Sequence, residues 1–351
     1  MNSRAEVIKK LRETHRLSAA EYKMLLEDGD QVECDQLQAE AREVSTSVFG
    51  KGIFIRGLLE ISNHCRNNCF YCGIRASNAG IARYRLSKEE ILACCSAGHE
   101  LGFRTFVLQG GEDTAQYDEW AAGVVKSIRE CFPDCAITLS LGEKTAETYM
   151  KFRSAGADRY LLRHETFNAE HYSKLHPASM SRNRRLECLS LLKDAGFQTG
   201  TGFMVGSPYQ TIDNLVEDIL FIQDFHPEMI GIGPFIHHHG TPFADCPDGS
   251  VTLTLKLISI FRLMDPHALI PATTALNTID PAARKKGILA GANVVMPNLT
   301  PASVRNDYSL YDGKAFRGAE AAEGLDELRN ELATIGYDVV IGRGDYKKTL
   351  N

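Results

Sequence analysis

The residues with the clearest chemical potential are three cysteines that lie close together in the chain. Cys65, Cys69 and Cys72 form a Cys-x3-Cys-x2-Cys pattern, so three thiolates on one short loop can ligate three irons of a 4Fe–4S cluster. The fourth iron is then left without a protein ligand and is open to a small molecule. A structural zinc site would use a fourth ligand, but the usual second Cys-x2-Cys pair is missing, and the adjacent His64 is poorly placed to share tetrahedral geometry. The spacing therefore predicts an iron–sulfur cluster.

Further polar residues follow other β-rich runs of the chain. Paired glycines allow the backbone to approach a ligand closely, and a glutamate beside them can meet an ammonium group. An arginine can bind a carboxylate through two parallel hydrogen bonds, and a carboxylate can bind ribose hydroxyls. A simple turn, or an Arg–Glu pair that closes the end of a barrel, would explain the same residues without a ligand. These candidates are Gln109, Gly110, Gly111, Glu112, Arg163, Glu165 and Arg185.

The elements that carry these residues alternate between strand and helix. Eight β-rich runs, each followed by an amphipathic helix, predict an α/β fold and a complete (βα)8 TIM barrel, in which the ligand site lies at the carboxyl ends of the strands. An open doubly wound sheet is the alternative, but no Gly-x-Gly-x-x-Gly opens the first βα turn. The predicted strands are 53–61, 105–108, 136–139, 159–162, 198–205, 229–232, 269–273 and 293–296. The predicted helices between them are 88–101, 118–131, 144–154, 182–195, 212–225, 252–264 and 281–290.

Three regions are predicted along the chain. Apolar residues recur at helical spacing in residues 1–50, which predicts an N-terminal helical extension. Residues 51–311 hold the predicted barrel. Residues 312–351 are predicted to form a C-terminal loop and a closing helix over 325–335.

Composition narrows the function. The formal net charge of −6 and the lack of a Lys/Arg block argue against a nucleic-acid surface. No run approaches the roughly 18 apolar residues that span a bilayer, and the amino terminus has no apolar segment typical of a secretory signal. We therefore expect a cytoplasmic protein without membrane contact, in which the ten cysteines do not form a disulfide framework.

The cysteine spacing is the signature of the radical S-adenosylmethionine (SAM) superfamily, and the surrounding string 61–75 resembles one branch of it. From about Ala5 to Arg343 the chain resembles the E-type maturases of FeFe-hydrogenase. The stretches that carry this resemblance are 139–143, 157–166, 231–236, 270–275 and 291–298.

The resemblance implies a 4Fe–4S cluster whose fourth iron is chelated by the amino and carboxylate groups of SAM. Reduction of the cluster then cleaves SAM to a 5′-deoxyadenosyl radical. The family helps to build the di-iron active site of the hydrogenase, acting on a mononuclear iron–carbonyl–cyanide–cysteine synthon that a partner maturase delivers. Partner maturases and an electron donor are therefore the expected partners.

The resemblance also implies individual roles around SAM. Tyr71 would pack near the adenine, and Met204 lies on the strand expected at the adenine side. The Gln109-Gly110-Gly111-Glu112 element would receive the SAM amino group. Arg163 and Glu165 would contact carboxylate or ribose, and Arg185 would clamp the carboxylate, with Arg182 and Arg184 as alternatives.

Two related families and one different class compete with this prediction. Methylornithine synthase and biotin synthase are radical SAM enzymes that act on small organic substrates. Biotin synthase has Tyr-Asn-His-Asn where this chain has residues 162–165, and methylornithine synthase is less similar around Cys72. A non-catalytic iron–sulfur scaffold would explain the cysteines but not Glu112, Glu165 and Arg185. Some maturases carry three further cysteines near the carboxyl terminus for an accessory cluster, and no cysteine follows Cys246 here.

A histidine triplet is the remaining candidate site. In extended backbone, alternate side chains share a face, so His237 and His239 would point the same way. Imidazole can ligate iron or donate a hydrogen bond to its cyanide. We expect one of the two, with Thr273 or Thr274 across the barrel mouth, to contact the iron-bearing substrate. A solvated loop would account for the triplet equally well.

Overall fold

The computed structural model describes residues 3–27, 31–315 and 318–347. Its helices are α1 (Arg4–Thr14), α2 (Ala19–Leu26), α3 (Gln31–Phe49), α4 (Lys88–Glu100), α5 (Ala115–Cys131), α6 (Ala146–Ser154), α7 (Ala169–Leu175), α8 (Arg182–Asp194), α9 (Ile212–Phe225), α10 (Val251–Met264), α11 (Thr274–Ile279), α12 (Ala283–Leu289) and α13 (Leu325–Ala333). Its strands are β1 (Gly52–Ile55), β2 (Gly57–Ser62), β3 (Thr105–Gly110), β4 (Ala136–Ser140), β5 (Arg159–Leu161), β6 (Gln198–Thr201), β7 (Met204–Val205), β8 (Met229–Ile230), β9 (Gly233–Pro234), β10 (Val294–Val295) and β11 (Asp338–Val340). This alternation confirms the predicted α/β class.

The main sheet consists of six parallel strands in the order β2-β3-β4-β5-β6-β8. Leu59 of β2 lies opposite Leu108 of β3, and Leu108 lies opposite Leu139 of β4. All three side chains are buried, as expected for parallel strands that helices cover. The carboxyl ends of these strands therefore meet along one edge, where the predicted ligand residues begin.

The other strands form two smaller parallel sheets, β10-β1-β11 and β7-β9. The predicted strand 53–61 is in fact two strands, because the chain changes partners at Arg56: β1 pairs with β10 and β11, whereas β2 pairs with β3. The predicted strand 198–205 is likewise divided into β6 and β7. Isolated parallel bridges join Met229 to Leu269, Pro271 to Val294, and Leu58 to Asn298.

Capping residues and glycines determine where several helices begin and end. Ser87 caps α4, and Glu90 returns the hydrogen bond in a capping box. Gly102 and Gly156 follow α4 and α6 with φ values of 97° and 112°, the left-handed conformation that glycine readily adopts after a helix. The predicted closing helix is present as α13, whereas α7, α11, β9 and β11 were not predicted. The predicted strand 269–273 is wrong, because this segment forms only single bridges to its neighbours. No helix in the described parts of the chain is long and apolar enough to cross a membrane.

The three N-terminal helices pack against one another and against α9, α10 and α12. Ser3 and Ser18 cap α1 and α2, and Glu6 and Glu21 complete capping boxes. Val7, Leu11 and Tyr22 are fully buried and belong to the main hydrophobic core. These helices therefore cover the outer face of the fold and leave the carboxyl ends of the strands to later segments.

Candidate active site

The cysteine loop begins directly after β2, at the carboxyl end of the main sheet. Its backbone is held by segments that follow β3, end α7 and lie near the carboxyl terminus. Three hydrogen bonds of 2.9 Å make these contacts: Arg66 N–H to the Glu112 carbonyl, Phe70 N–H to the Leu175 carbonyl, and Gly73 N–H to the Leu310 carbonyl. The loop is thus fixed by tertiary contacts from widely separated parts of the chain.

Cys65, Cys69 and Cys72 are free and half-buried. Burial raises the pKa of all three thiols, that of Cys69 to about 12, so without a metal they carry their protons at neutral pH. A bound metal reverses this preference, because its positive charge stabilises the thiolate. The loop supplies three thiolates, whereas a tetrahedral zinc site would use a fourth ligand and usually a second Cys-x2-Cys pair. The spacing favours a cluster, in which each thiolate binds a different iron.

Gly111 brings the end of β3 against the cysteine loop. Its N–H donates to the Ser62 carbonyl at 3.0 Å. A Cβ atom at this position would lie 2.2 Å from the His64 carbonyl oxygen and 2.8 Å from Cys65 Cβ. Only glycine therefore allows the two segments to approach this closely.

Glu112, the next residue, is buried and fully hydrogen-bonded. Its Oε1 accepts from Arg66 Nη2 at 2.6 Å and from Nε at 3.0 Å, and its Oε2 accepts from the Glu143 N–H at 2.8 Å. The Arg66 side chain is 63% exposed. An ammonium group can therefore reach Glu112 only if Arg66 moves aside, and its exposure leaves it room to do so.

Arg163 and Glu165 lie just after β5 and have unsatisfied polar atoms. Their charged groups approach to 3.3 Å, but Arg163 Nε and Nη2 and Glu165 Oε2 are buried and have no hydrogen-bond partner in the described parts of the chain. Glu165 also has a φ of 64°, which is uncommon for a residue with a side chain. Buried polar atoms normally have partners, so this pair suits a ligand that offers both hydroxyl and carboxylate groups.

Arg185 is buried beside the cysteine loop. It donates to Glu143 Oε1 at 2.6 Å and to a backbone carbonyl of the turn after β5 at 2.6 Å. Its charge opposes the effect of burial on the pKa of Cys69, which shows that the two groups are close. Arg182 and Arg184, the alternatives for the clamp, bond instead to a backbone carbonyl and to a neighbouring glutamate on the outside of α8.

Tyr71 and Met204 pack in one apolar cluster at the mouth. The cluster also contains Leu175, Phe235 and Phe243. The Tyr71 hydroxyl lies 3.1 Å from His176 Nε2. Burial lowers the pKa of His176 to about 3, so this imidazole is neutral and the hydroxyl can donate to it. An aromatic ring and a thioether together offer an apolar surface to a flat ligand.

Tyr308, Lys314 and Glu60 form a connected group beside Gln109, and none of them was identified from the sequence. Gln109 Nε2 donates to the Tyr308 hydroxyl at 3.3 Å. Lys314 forms a buried ion pair with Glu60 of β2 and donates to the Tyr308 carbonyl at 3.0 Å. We call residues 305–315 the C-terminal strap. The presence of the charged residue Glu60 inside the predicted strand 53–61 was the sequence signal that could have indicated the ion pair with Lys314.

The histidine triplet is not arranged as expected. His237 Nδ1 lies 2.8 Å from Asp248, and His239 Nδ1 lies 2.8 Å from Asp312 of the strap. Both side chains are exposed, His239 to 80%. The middle residue, His238, is the buried one. The substrate role of His237 and His239 stays a prediction, and the buried imidazole between them was missed.

His238 packs against the residue that follows the third cysteine. A Cβ on Gly73 would lie 2.6 Å from His238 Nε2. The Nδ1 atom accepts from the Gly240 N–H at 2.9 Å, which assigns the ring proton to Nε2. His238, His239 and Asp312 bring their ligand atoms within 4.8 Å of one another, but this tautomer makes Nε2 a donor and opposes metal binding there.

Thr273 and Thr274 differ in their partners. Thr274 Oγ1 donates to Glu320 Oε2 at 2.8 Å and is thus engaged by the protein. Thr273 Oγ1 is buried and has no hydrogen-bond partner among the described residues. A Cβ on Gly233 would lie 2.7 Å from it, so β9 passes close to this hydroxyl. Thr273 is the better candidate for a ligand contact.

Comparison with known proteins gives one family match, two similar relatives and one similar solved structure. Residues 59–222 match the Radical SAM superfamily. The [FeFe] hydrogenase maturase subunit HydE of Thermotoga maritima is 47% identical over 274 residues, 78% of each chain. The 3-methylornithine synthase of Methanosarcina acetivorans is 30% identical over 305 residues, 86% of this chain and 85% of the relative. A crystal structure of methylornithine synthase superposes with a TM-score of 0.83 at 27% identity, covering 95% of this chain and 97% of the other.

Proposed function

The chain belongs to the radical SAM superfamily and, within it, to the HydE family of [FeFe]-hydrogenase maturases, and from this premise we propose that it matures the di-iron site of an [FeFe]-hydrogenase. Radical SAM enzymes use a 4Fe–4S cluster and SAM, so these are its cofactors. When bound, they supply an electron and a 5′-deoxyadenosyl radical for hydrogen-atom chemistry. The substrate would be a small iron-bearing synthon.

We infer that Cys65, Cys69 and Cys72 are the cluster ligands. The observation that carries the proposal is the pair next to them: beyond their own 3.3 Å ion pair, Arg163 and Glu165 have buried polar atoms with no hydrogen-bond partner among the described residues. A thiol loop with an open coordination position, beside a carboxylate and a guanidinium, suits a ligand with amine, carboxylate and ribose groups. A scaffold that only stored the cluster would not need this pair.

The remaining proposed SAM contacts surround that centre. Arg185 would orient the carboxylate, and Glu112 would receive the amino group once Arg66 releases it. Tyr71 and Met204 would cover the adenine. Gln109, Gly110 and Gly111 would shape the backbone beside the cluster, with Gly111 required by its closeness to Cys65.

We propose that the strands close into a complete (βα)8 barrel. The isolated bridges from β8 to Leu269, from Pro271 to β10 and from Leu58 to Asn298 support closure, since they link the last strand of the main sheet back to β2. Residues 1–50 would then be a helical extension, 51–311 the barrel and 312–351 a C-terminal loop and closing helix. Residues 316–317 and 348–351 of that last region lie outside the described residues.

The substrate would lie inside this barrel, on the far side of SAM from the cluster. Thr273, with its buried and unpartnered hydroxyl, is the proposed contact, with Thr274, His237 and His239 as further candidates. Other maturases would deliver and receive the synthon, and a separate donor would reduce the cluster. We expect this exchange to take place in the cytoplasm.

Anaerobic reconstitution with iron and sulfide, followed by dithionite and SAM, tests the proposal. We expect 5′-deoxyadenosine, and hydrogenase activity once partner maturases and apo-hydrogenase are added. Maturation should fall in the Thr273→Val variant while SAM cleavage without substrate is retained. Absence of 5′-deoxyadenosine would instead support the non-catalytic scaffold. Full maturation by a His237→Ala/His239→Ala double variant would remove those two residues from the substrate site.

The structural likeness to methylornithine synthase, with a TM-score of 0.83, favours one second candidate. An enzyme of that kind would act on a small amino acid rather than on an iron synthon. SAM cleavage that yields 3-methylornithine in cell extract and no hydrogenase maturation would select this alternative. The identity of 47% to HydE against 30% to methylornithine synthase favours the maturase.

A further inference from the structure

A buried aspartate behind the turn after β5 has no role in the site described so far. Asp218 of α9 is fully buried, and its Oδ1 accepts from the Phe167 N–H at 2.5 Å and lies 3.2 Å from His164 Nε2. Its Oδ2 has no hydrogen-bond partner in the described parts of the chain. Burial of a carboxylate is costly. An aspartate in this position is therefore expected to do more than fill space.

The directions of the hydrogen bonds can be assigned around His164. Thr201 Oγ1 accepts from the His164 backbone N–H at 3.2 Å and lies 2.9 Å from His164 Nδ1. If Nε2–H donates to Asp218, Nδ1 is left to accept the Thr201 hydroxyl proton. One imidazole with no exposed surface thus connects β6 to α9 through the turn after β5.

These bonds hold both sides of Glu165. Asp218 binds His164, the residue before Glu165, and Phe167, two residues after it. Glu165 itself donates its N–H to the Gly202 carbonyl at 3.1 Å. A non-glycine residue with a φ of 64° persists only where its surroundings enforce that conformation. Asp218 and His164 hold the backbone on both sides of Glu165, whose Oε2 makes no hydrogen bond within the described parts of the chain.

We propose that Asp218 and His164 are positioning residues for SAM. They do not touch the ligand, but they hold Arg163 and Glu165 in the orientation that receives it. This inference rests on the proposed function of Arg163 and Glu165 as SAM contacts. It predicts that removal of a side chain behind the turn weakens SAM binding without loss of the cluster.

The test measures SAM affinity in the reconstituted holoenzyme, from the change in the electron paramagnetic resonance spectrum of the reduced cluster as SAM is added. We expect Asp218→Ala to weaken SAM binding at least ten-fold, with wild-type iron content. Asp218→Asn keeps an oxygen that can accept from Phe167 or His164, so it should lose less than three-fold. Ile222→Ala is the matched control, because it empties a buried position one turn further along the same helix and removes no hydrogen bond to the turn after β5.

Unchanged SAM affinity in Asp218→Ala, while Glu165→Gln weakens binding, would overturn the inference and leave the proposed function intact. Unchanged affinity in both would overturn the SAM role of the turn and the inference with it. An equal loss in Ile222→Ala would also overturn it, since α9 packing alone would then explain the effect. If Asp218→Ala does not fold, the isosteric Thr201→Val tests the other end of the same connection. We expect a three- to ten-fold loss from it, and no loss would overturn the inference.

Discussion

Buried arginines lie at both ends of the parallel strands, but they differ in how far the protein satisfies their hydrogen bonds. At the amino ends, Arg159 of β5 is fully buried but donates to Asp345 at 2.6 Å and to the Arg343 carbonyl at 2.7 Å. Arg343 in turn donates to Asp158 at 3.0 Å. At the carboxyl ends, just after the same strand, Arg163 has buried nitrogens that lie 3.3 Å from Glu165 but make no hydrogen bond within the described parts of the chain.

The difference distinguishes charged residues that stabilise the fold from charged residues that are available to bind a ligand. At the amino ends, the paired guanidinium of Arg159 links β5 to Asp345, near the end of the described chain, and closes that end of the sheet. The guanidinium of Arg163 at the carboxyl ends has only the 3.3 Å ion pair with Glu165 and keeps hydrogen-bonding capacity for a ligand, at the end where α/β folds commonly carry their sites. Arg56 departs from this division: it lies between β1 and β2, its guanidinium donates to the Met229 sulfur at 3.3 Å, and burial lowers its pKa.

The largest effect is expected at the cysteine loop. Cys65→Ser should abolish cluster assembly and SAM cleavage, because a serine hydroxyl is a poor iron ligand in this setting. Thermal stability should change little, since a half-buried loop residue adds little to the core. Iron content and cluster absorbance provide the measurement, with the exposed Cys131→Ser as control. Wild-type absorbance in Cys65→Ser would remove the ligand assignment.

The second largest effect is expected on SAM affinity when Arg163 is replaced. Arg163→Ala should weaken SAM binding by about 1.5–3 kcal/mol, the range for a hydrogen bond to a charged group, or roughly ten- to a hundred-fold. Arg329→Ala removes the same charge from a partly exposed position on α13 and should leave affinity unchanged. Titration of the reconstituted protein with SAM measures both. Equal affinity in the two variants would mean that Arg163 only closes the barrel end.

The amino ends should show the reverse behaviour. Asp345→Ala leaves Arg159 buried with one acceptor fewer, which should lower the free energy of unfolding by about 1–3 kcal/mol. SAM affinity should not change. Chemical denaturation measures stability, and Asp338→Ala, at an exposed position on β11, controls for the loss of one negative charge. A loss of SAM affinity in Asp345→Ala would show that the two ends are coupled.

The smallest effect concerns pH. Burial works against ionisation of Asp345, but Arg343 and Arg159 outweigh it, so the pKa of this carboxyl lies below its ordinary value. The ionised form is favoured by folding, so its contribution is present above about pH 4 and is lost as the pH falls through the folded-state pKa. The stability difference between the wild-type protein and Asp345→Asn should therefore shrink in acid. A constant difference down to pH 2 would contradict the assignment.

Sequence alone predicted the α/β class, because this depends on periodicity. The cluster role of the cysteine loop rests on the spacing of the cysteines and the SAM contacts on the family resemblance, and both stay predictions. Sequence alone did not predict the break at Arg56, since β1 and β2 differ only in partners that lie far along the chain. The buried state of His238 also depends on a distant contact, the approach of Gly73. Adjacent histidines were treated as extended backbone, whereas hydrogen bonds to Asp248 and Asp312 turn the outer two outward.

The C-terminal strap has a consequence for biosynthesis. It covers the cysteine loop through the bond from Gly73 to Leu310 and anchors itself through Lys314 and Glu60. A ribosome adds the 242 residues that separate Cys72 from Lys314 only after the cysteines have been made. At about 5–20 residues per second this takes roughly 12–50 s. Throughout that interval the nascent chain presents its thiols without the strap, and iron can be loaded before the last segment folds over them.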